Sequence, residues 1–316
     1  MLFRSAGALQ ISYGKRESKY QFLWERNLEQ IGFEELEPQS PQYFFVPKDY
    51  ALQEAYDRGF SVSDLFAVNS VGIVTARDHF ALYHTPRDLK AAIAKFRTMD
   101  DNTAREQYSL GKDADDWKVK LARQDLEENV FGNANDKPVP ICYRPFDVRY
   151  TYYTGTSKGF HCRPRGEFMR HLLEGENLGL IFSRRSMETG TPVFVTRTII
   201  DKRGGHSWAE TISCLASLYL YPDPKQQTLD KKQTRKPNLD PAIVQTIAVA
   251  LDLRFTPEKE ADPKTFAPID LLDYIYAILH SPAYRHGCFT TTYTGSGRAS
   301  ISSCGSAIWS RLISRS

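Results

Sequence analysis

The stretch from Ile141 to Arg170, ICYRPFDVRYTYYTGTSKGFHCRPRGEFMR, holds six Lys/Arg, two acidic residues and seven aromatics. Cations neutralise phosphates and fork onto guanine edges, and flat rings stack on unstacked bases or wedge between them. The candidate contact residues here are Arg144, Arg149, Tyr152, Lys158, Arg163, Arg165 and Arg170, continued by Arg184, Arg185, Lys202 and Arg203. From Cys142 to His206 eleven Lys/Arg face six Asp/Glu, a local excess of five, although the whole chain carries only +3. The rest of the chain is therefore slightly acidic, and a charge asymmetry of this kind speaks about partners rather than fold. The same composition also suits a basic, half-exposed sheet face, where rings pack across strand pairs and long cationic stems cover apolar surface.

Other residue groups carry weaker chemistry. Arg203-Gly204-Gly205-His206-Ser207-Trp208 sets a His beside a Ser. Sequence neighbours seldom form a nucleophile–base pair, and no elbow motif surrounds them, so no catalytic residue is assigned. His161-Cys162 is the sole adjacent soft-ligand pair, the five cysteines are scattered without a CxxC, and no metal site is expected. Gly155-Thr156-Ser157-Lys158-Gly159 has the residue types of a phosphate loop in the wrong order, and GxxxxGK[ST] is absent. Ser40-Pro41-Gln42-Tyr43 echoes an Asn-Pro-Pro-Tyr motif without its Asn or second Pro.

These residues need a scaffold, and local patterns outline one. Lys15–Gln30 reads as a helix, Tyr43–Val46 as a short buried strand and Tyr50–Arg58 as a helix closed by Gly59. Ala67–Ala76 reads as a strand. Thr85-Pro86 caps a helix to Arg97, with Leu89, Ile93 and Phe96 on one face. Met99–Val130 is helical in pieces, docked by Trp117, Leu121 and Leu126. Phe131–Pro138 reads as a linker. Strands are expected at Val139–Tyr143, Val148–Tyr153, Leu178–Ser183, Val193–Val195 and Ser213–Leu220, with a helix over Arg163–Leu173. Alternation along Val148–Tyr153 would put Tyr150 and Tyr152 on one face and Tyr153 on the other. Asp223–Pro237 reads as a loop, and helices follow at Asp240–Leu251 and Ile269–His280. The fold class is α+β (mixed). Residues 1–130 are expected to form one domain, 131–285 a second, strand-rich one, and 286–316 an atypical tail. From Gly287 on there are eight Ser and four Thr but no Asp, Glu or Lys, which suits a disordered or frame-shifted end.

Several ordered motifs carry a family resemblance. They are Tyr143-Arg144-Pro145-Phe146-Asp147-Val148-Arg149 through Tyr153, Gly159 through Arg170, Asn177 through Arg184, Arg235-Lys236-Pro237-Asn238-Leu239, and Phe266-Ala267-Pro268-Ile269-Asp270 to Tyr284. From about Lys15 to Arg285 the chain resembles the C-terminal specificity region of the single-polypeptide Type I (Type ISP) restriction–modification enzymes. The stretch from Glu35 to Asp49 looks like their methyltransferase-to-specificity junction. The resemblance implies sequence-specific recognition of double-stranded DNA by a fragment without its own catalytic motifs. S-adenosylmethionine, ATP and Mg would belong to the full-length parent, and a separate methyltransferase or helicase–nuclease region is a possible partner. Two alternatives stay open: a truncated adenine methyltransferase active only with a separate catalytic region, and a single-strand binder that stacks bases on Tyr150, Tyr152 and Tyr153. No apolar run reaches the length of a membrane span, and a cytoplasmic location is expected.

Overall fold

The computed structural model describes residues 8–11, 19–31, 33–36, 38–40, 43, 60–114, 116–132, 136–183, 193–205, 212–223 and 235–282. Strands β1 (Ala8–Ile11) and β2 (Phe33–Leu36) pair antiparallel around helix α1 (Lys19–Trp24). The expected helix over Lys15–Gln30 is therefore shorter, with a separate 3-10 turn at Leu28–Gln30. Its apolar residues Tyr20, Leu23, Trp24 and Leu28 are exposed rather than packed. The expected helix at Tyr50–Arg58, and the tail from residue 286, lie outside the described residues. So do Phe44, Phe45 and Val46, while Tyr43 is exposed with φ 47°.

Helices α2 (Val62–Leu65), α3 (Asp78–Ala81), α4 (Pro86–Thr98), α5 (Asp101–Gln107) and α6 (Val119–Asn129) follow, with β3 (Ser70–Val71) between the first two. Helix α4 starts where Thr85 accepts the Asp88 amide and Pro86 presets φ, and it buries Leu89, Ile93 and Phe96. Trp117 and Leu126 dock the next helical pieces; Leu121 is exposed instead, because it lies off the buried face set by Val119, Ala122 and Leu126.

The chain then enters two sheets. Strands β4 (Val139–Arg144) and β5 (Asp147–Thr151) form a tight hairpin, followed by α7 (Gly166–Met169), β6 (Gly179–Ser183), β7 (Phe194–Thr196), β8 (Ile199–Ile200) and β9 (Ser213–Ser217). One sheet is antiparallel in the order β3-β9-β6-β7. The other has the order β5-β4-β8, with β8 parallel to β4. Single bridges lengthen it: Tyr83 pairs with Tyr150 at one side, and Ile73 with Asp201 and Val74 with Arg163 at the other. Strand β10 (Tyr219–Leu220) pairs with β11 (Lys236–Pro237), so only residues 224–234 of the expected loop fall outside the described part. Helix α8 (Pro241–Leu251), short parallel strands β12 (Arg254–Phe255) and β13 (Thr265–Phe266), and helix α9 (Pro268–His280) complete an α+β fold. Among the described residues no helix is long and apolar enough to cross a membrane.

Two hydrophobic cores result. The first joins the helices of residues 78–130 to the β5-β4-β8 sheet, through Phe80, Phe96, Trp117, Ile141, Phe160 and Ile199. The segment Phe131–Pro138 thus connects elements that share one core. The second packs α8 and α9 on Leu180, Phe182, Cys214 and Ala216. The expected strand Ala67–Ala76 is cut to two residues because the chain changes sheets within it. Ser70 and Val71 pair with β9, and Ile73 and Val74 pair in the other sheet. Gly72 sits at the crossing, where a Cβ would overlap the Asp201 carbonyl and the Lys202 amide.

Candidate nucleic-acid interface

The β4–β5 hairpin turns through Pro145 and Phe146, between paired Arg144 and Asp147. Its arginines are engaged inside the molecule. Arg144 Nη1 donates to Asp201 Oδ1 at 2.7 Å and to the Tyr143 carbonyl, and Nη2 lies 3.9 Å from Asp78 Oδ2. Arg149 donates to both oxygens of Asp147 at 2.9–3.1 Å. Both guanidinium groups lie over the Tyr143 ring, 3.7 and 4.0 Å from its centroid, a favourable cation–π arrangement. Tyr143 donates to Asp78 at 3.0 Å, and Thr75 donates to the same carboxylate. Asp201 is only 2% exposed; burial raises its carboxyl, while the Arg203 amide and Arg144 pull it back down.

The loop from Thr154 to Arg165 is built in the opposite way. Buried Asp125, on α6, accepts the Thr154 hydroxyl and the Phe160 amide, each at 2.7 Å, and the Asn129 amide at 2.9 Å. Gly159 is required under this carboxylate, since a Cβ would overlap it. Trp117 Nε1 donates to the Phe160 carbonyl at 3.2 Å. Between these anchors Lys158 has φ 60° and an exposed side chain. His161 is fully buried beside the Thr151 hydroxyl, 2.9 Å from Nε2, and its Nδ1 has no partner. Burial pushes it down to about 4, with Asp125 pulling the other way. The Cys162 thiol meets Asp116, and no group of three or more potential metal ligands occurs among the described residues.

Arg163 is exposed while its backbone bonds both ways with Val74 at 2.9 Å. Arg165 takes the left-handed conformation (φ 58°) and leaves its buried Nε unpartnered. The chain can continue only because Gly166 passes Gly155, where a Cβ would lie 2.7 Å from the Gly155 carbonyl. The expected helix over Arg163–Leu173 is accordingly cut to Gly166–Met169 with a 3-10 turn over Arg170–Leu172. Arg170 is tied to Glu174 and to the carbonyls of Tyr221 and Pro222. Lys202 and Arg203 open the turn after Asp201, half-buried and without an ion pair among the described residues. Ile73–Val74 lies between this turn and Arg163, so Arg163 on one side and Lys202 and Arg203 on the other flank one segment of the extended sheet, with Lys158 in the loop before Arg163. Arg184 and Arg185 lie outside the described residues.

The stacking platform is not formed as expected. Tyr152 is 2% and Tyr153 8% exposed, because the strand ends at Thr151 and the alternation stops with it. Tyr152 reaches Asp136 and packs edge-on against Phe131; Tyr153 donates to the Pro164 carbonyl at 2.7 Å. Residues assigned no supporting role from the sequence hold the site together: Asp78, Asp125, Asp201 and the glycines at 72 and 159. Besides near neighbours, Asp78, Asp125 and Asp201 each bond a residue 29–65 positions away, beyond any local signal.

The Type ISP C-terminal specificity domain model matches residues 64–287. The fold is similar to that in the cryo-EM structure of a DrdV–DNA complex, with a TM-score of 0.51 and 19% identity over 84% of this chain and 25% of that one. It is also similar to the ATP-dependent Type ISP restriction-modification enzyme LlaBIII bound to DNA, with a TM-score of 0.53 and 14% identity over 84% of this chain and 16% of that one. The chain thus spans a quarter or less of the length of these two proteins. No curated protein matches it.

Proposed function

Since the chain belongs to the Type ISP C-terminal specificity domain family, we propose that it binds double-stranded DNA and reads a target sequence for a larger restriction–modification enzyme. The residue-level reading is supported by Arg163, Lys202 and Arg203, which flank the Ile73–Val74 segment, and by Lys158 in the loop before Arg163, all without carboxylate partners among the described residues. Arg165 and, in the segment outside the described residues, Arg184 and Arg185 extend this set. The solved structures with this fold hold DNA, which supports the same partner. Arg144, Arg149 and Arg170 serve by holding the hairpin and the sheet end, and Tyr152 by packing. Burial of Tyr152 and Tyr153 weighs against single-strand stacking.

Methyl transfer and ATP-driven steps belong to other regions of the parent, because this sequence has neither an Asn-Pro-Pro-Tyr motif nor a GxxxxGK[ST] loop. Incubation of the purified chain with radiolabelled S-adenosylmethionine and DNA should give no transfer; labelled DNA would favour an intact methyltransferase. The binding test is fluorescence anisotropy on a random-sequence duplex at several salt concentrations. About five neutralised phosphates should give a log–log slope of roughly −4.5. No binding at low salt, or a slope near zero, would end this reading.

A further inference from the structure

We infer that Phe146 is a wedge that enters the base stack of the bound duplex, an inference that rests on the DNA-binding reading above. Phe146 is 92% exposed, the most solvent-exposed of the large apolar side chains among the described residues. It also has φ 63°, at the second position of a two-residue hairpin turn where glycine or asparagine is the ordinary occupant. A bulky ring is thus kept where both water and backbone disfavour it. Its mounting is stiff. The turn follows proline; Arg149 is clamped to Asp147, and Arg144 to buried Asp201. The Phe194 ring stands edge-on behind it, with centroids 5.5 Å apart at 84°.

The rim says what the ring meets. Asp201 Oδ1 receives both Arg144 Nη1 and the Arg203 amide, so the turn bearing Lys202 and Arg203 adjoins the hairpin base. An apolar tip beside cations that lack carboxylate partners among the described residues complements a polyanion with an apolar interior. A duplex offers phosphates to the cations and a base step to the ring. Wedging unstacks the step, so it is favoured where stacking is already weak.

The test measures binding of the full chain to a labelled duplex and to the same duplex with one central abasic site. Wild type should prefer the abasic duplex by at least about threefold. Phe146→Gly relieves the positive φ, so its melting temperature should hold while the preference falls to near one. Phe146→Asn, which also tolerates that conformation, should do the same, and Phe146→Trp should keep the preference. Equal affinity of wild type for the two duplexes, or a preference that survives in both Phe146→Gly and Phe146→Asn, would overturn the wedge and leave DNA binding standing. If wild type binds neither duplex, the DNA reading itself fails, and the wedge with it.

Discussion

The β4–β5 hairpin and the Thr154–Arg165 loop are built from the same kinds of residue and sort them in opposite directions. In the hairpin the arginines turn inward to Asp147 and Asp201 and the aromatic tip, Phe146, stands in solvent. In the loop Phe160 is buried, together with Tyr152 and Tyr153 just before it, while Lys158 and Arg163 stand in solvent. The difference follows from where the carboxylates lie. Asp201 and Asp147 are within reach of the hairpin's guanidinium groups, whereas Asp125 commits its oxygens to a hydroxyl and two N–H donors below the loop. A charged side chain near a buried carboxylate becomes framework; one without such a partner remains free for a ligand.

The sharpest break in this contrast should come from Asp201→Ala. It leaves the Arg144 guanidinium half-buried without its main partner and frees the Arg203 amide. The expected loss is about 3 kcal/mol, the lower end for breaking a buried pair because Arg144 keeps some solvent contact. Urea denaturation at neutral pH measures it; a midpoint equal to wild type would show that Arg144 is not framework.

The loop has its own buried group, His161, held down to about 4 against an ordinary 6.5. The unfolded chain binds this proton first as pH falls. Stability is therefore fully present above about 6.5 and is lost as pH drops toward 4. Between pH 6.5 and 5 the loss from this group should be about 2 kcal/mol. His171, also held down to about 4 by burial with Arg170 and Lys236 nearby, acts in the same direction. Asp201, raised by burial, has the opposite slope. Denaturation of wild type and His161→Asn across this range isolates the His161 share, and identical pH profiles would remove it.

Replacing Lys158 and Arg163 together by alanine should weaken DNA binding and flatten the salt slope by about two, one for each phosphate left without its cation. Stability should stay within about 0.5 kcal/mol, as for other exposed substitutions. Unchanged binding would move the DNA-binding surface elsewhere. The smallest effect belongs to the hairpin: Arg149→Ala should cost under about 1 kcal/mol, since its partner is partly exposed. It should leave the salt slope alone, and a slope flattened by one would return Arg149 to the phosphate-binding set.

Elements fixed by neighbours in sequence are legible in the sequence alone. Helix α4 has its Thr85-Pro86 start and its apolar stripe close together, and the β4 and β5 strands are joined by a two-residue turn that contains Pro145. Elements fixed from a distance are not. The helix expected at Arg163–Leu173 starts only at Gly166, after left-handed Arg165 and where the chain passes close to Gly155, and the alternation that would set the face of Tyr152 ends one residue before it. The basic composition is visible as a series of arginines. Arg149 and Arg170 have partners close by in Asp147 and Glu174, but the internal use of Arg144 depends on Asp201, 57 residues beyond it, and nothing near Arg144 in sequence announces it.

The crossing at Gly72 governs the order in which this protein can assemble. Residues 70–74 lie between strands that leave the ribosome much later: Arg163, Ile200–Lys202 and Ser213–Leu215. Val68 must also wait for Asn238, 170 residues on, which bonds both its amide and its carbonyl. During synthesis the helices near residues 78–130 can form early, but the segment that joins the two sheets has no partners until most of the chain has emerged. Folding dominated by such distant pairings is slow and leaves strand edges open meanwhile. A nascent chain stalled before residue 200 would therefore leave Ser70, Val71 and Ile73 as an unpaired edge, and cutting the gene at residues 131–138 would part the Ser70–Val74 segment from every strand it pairs with.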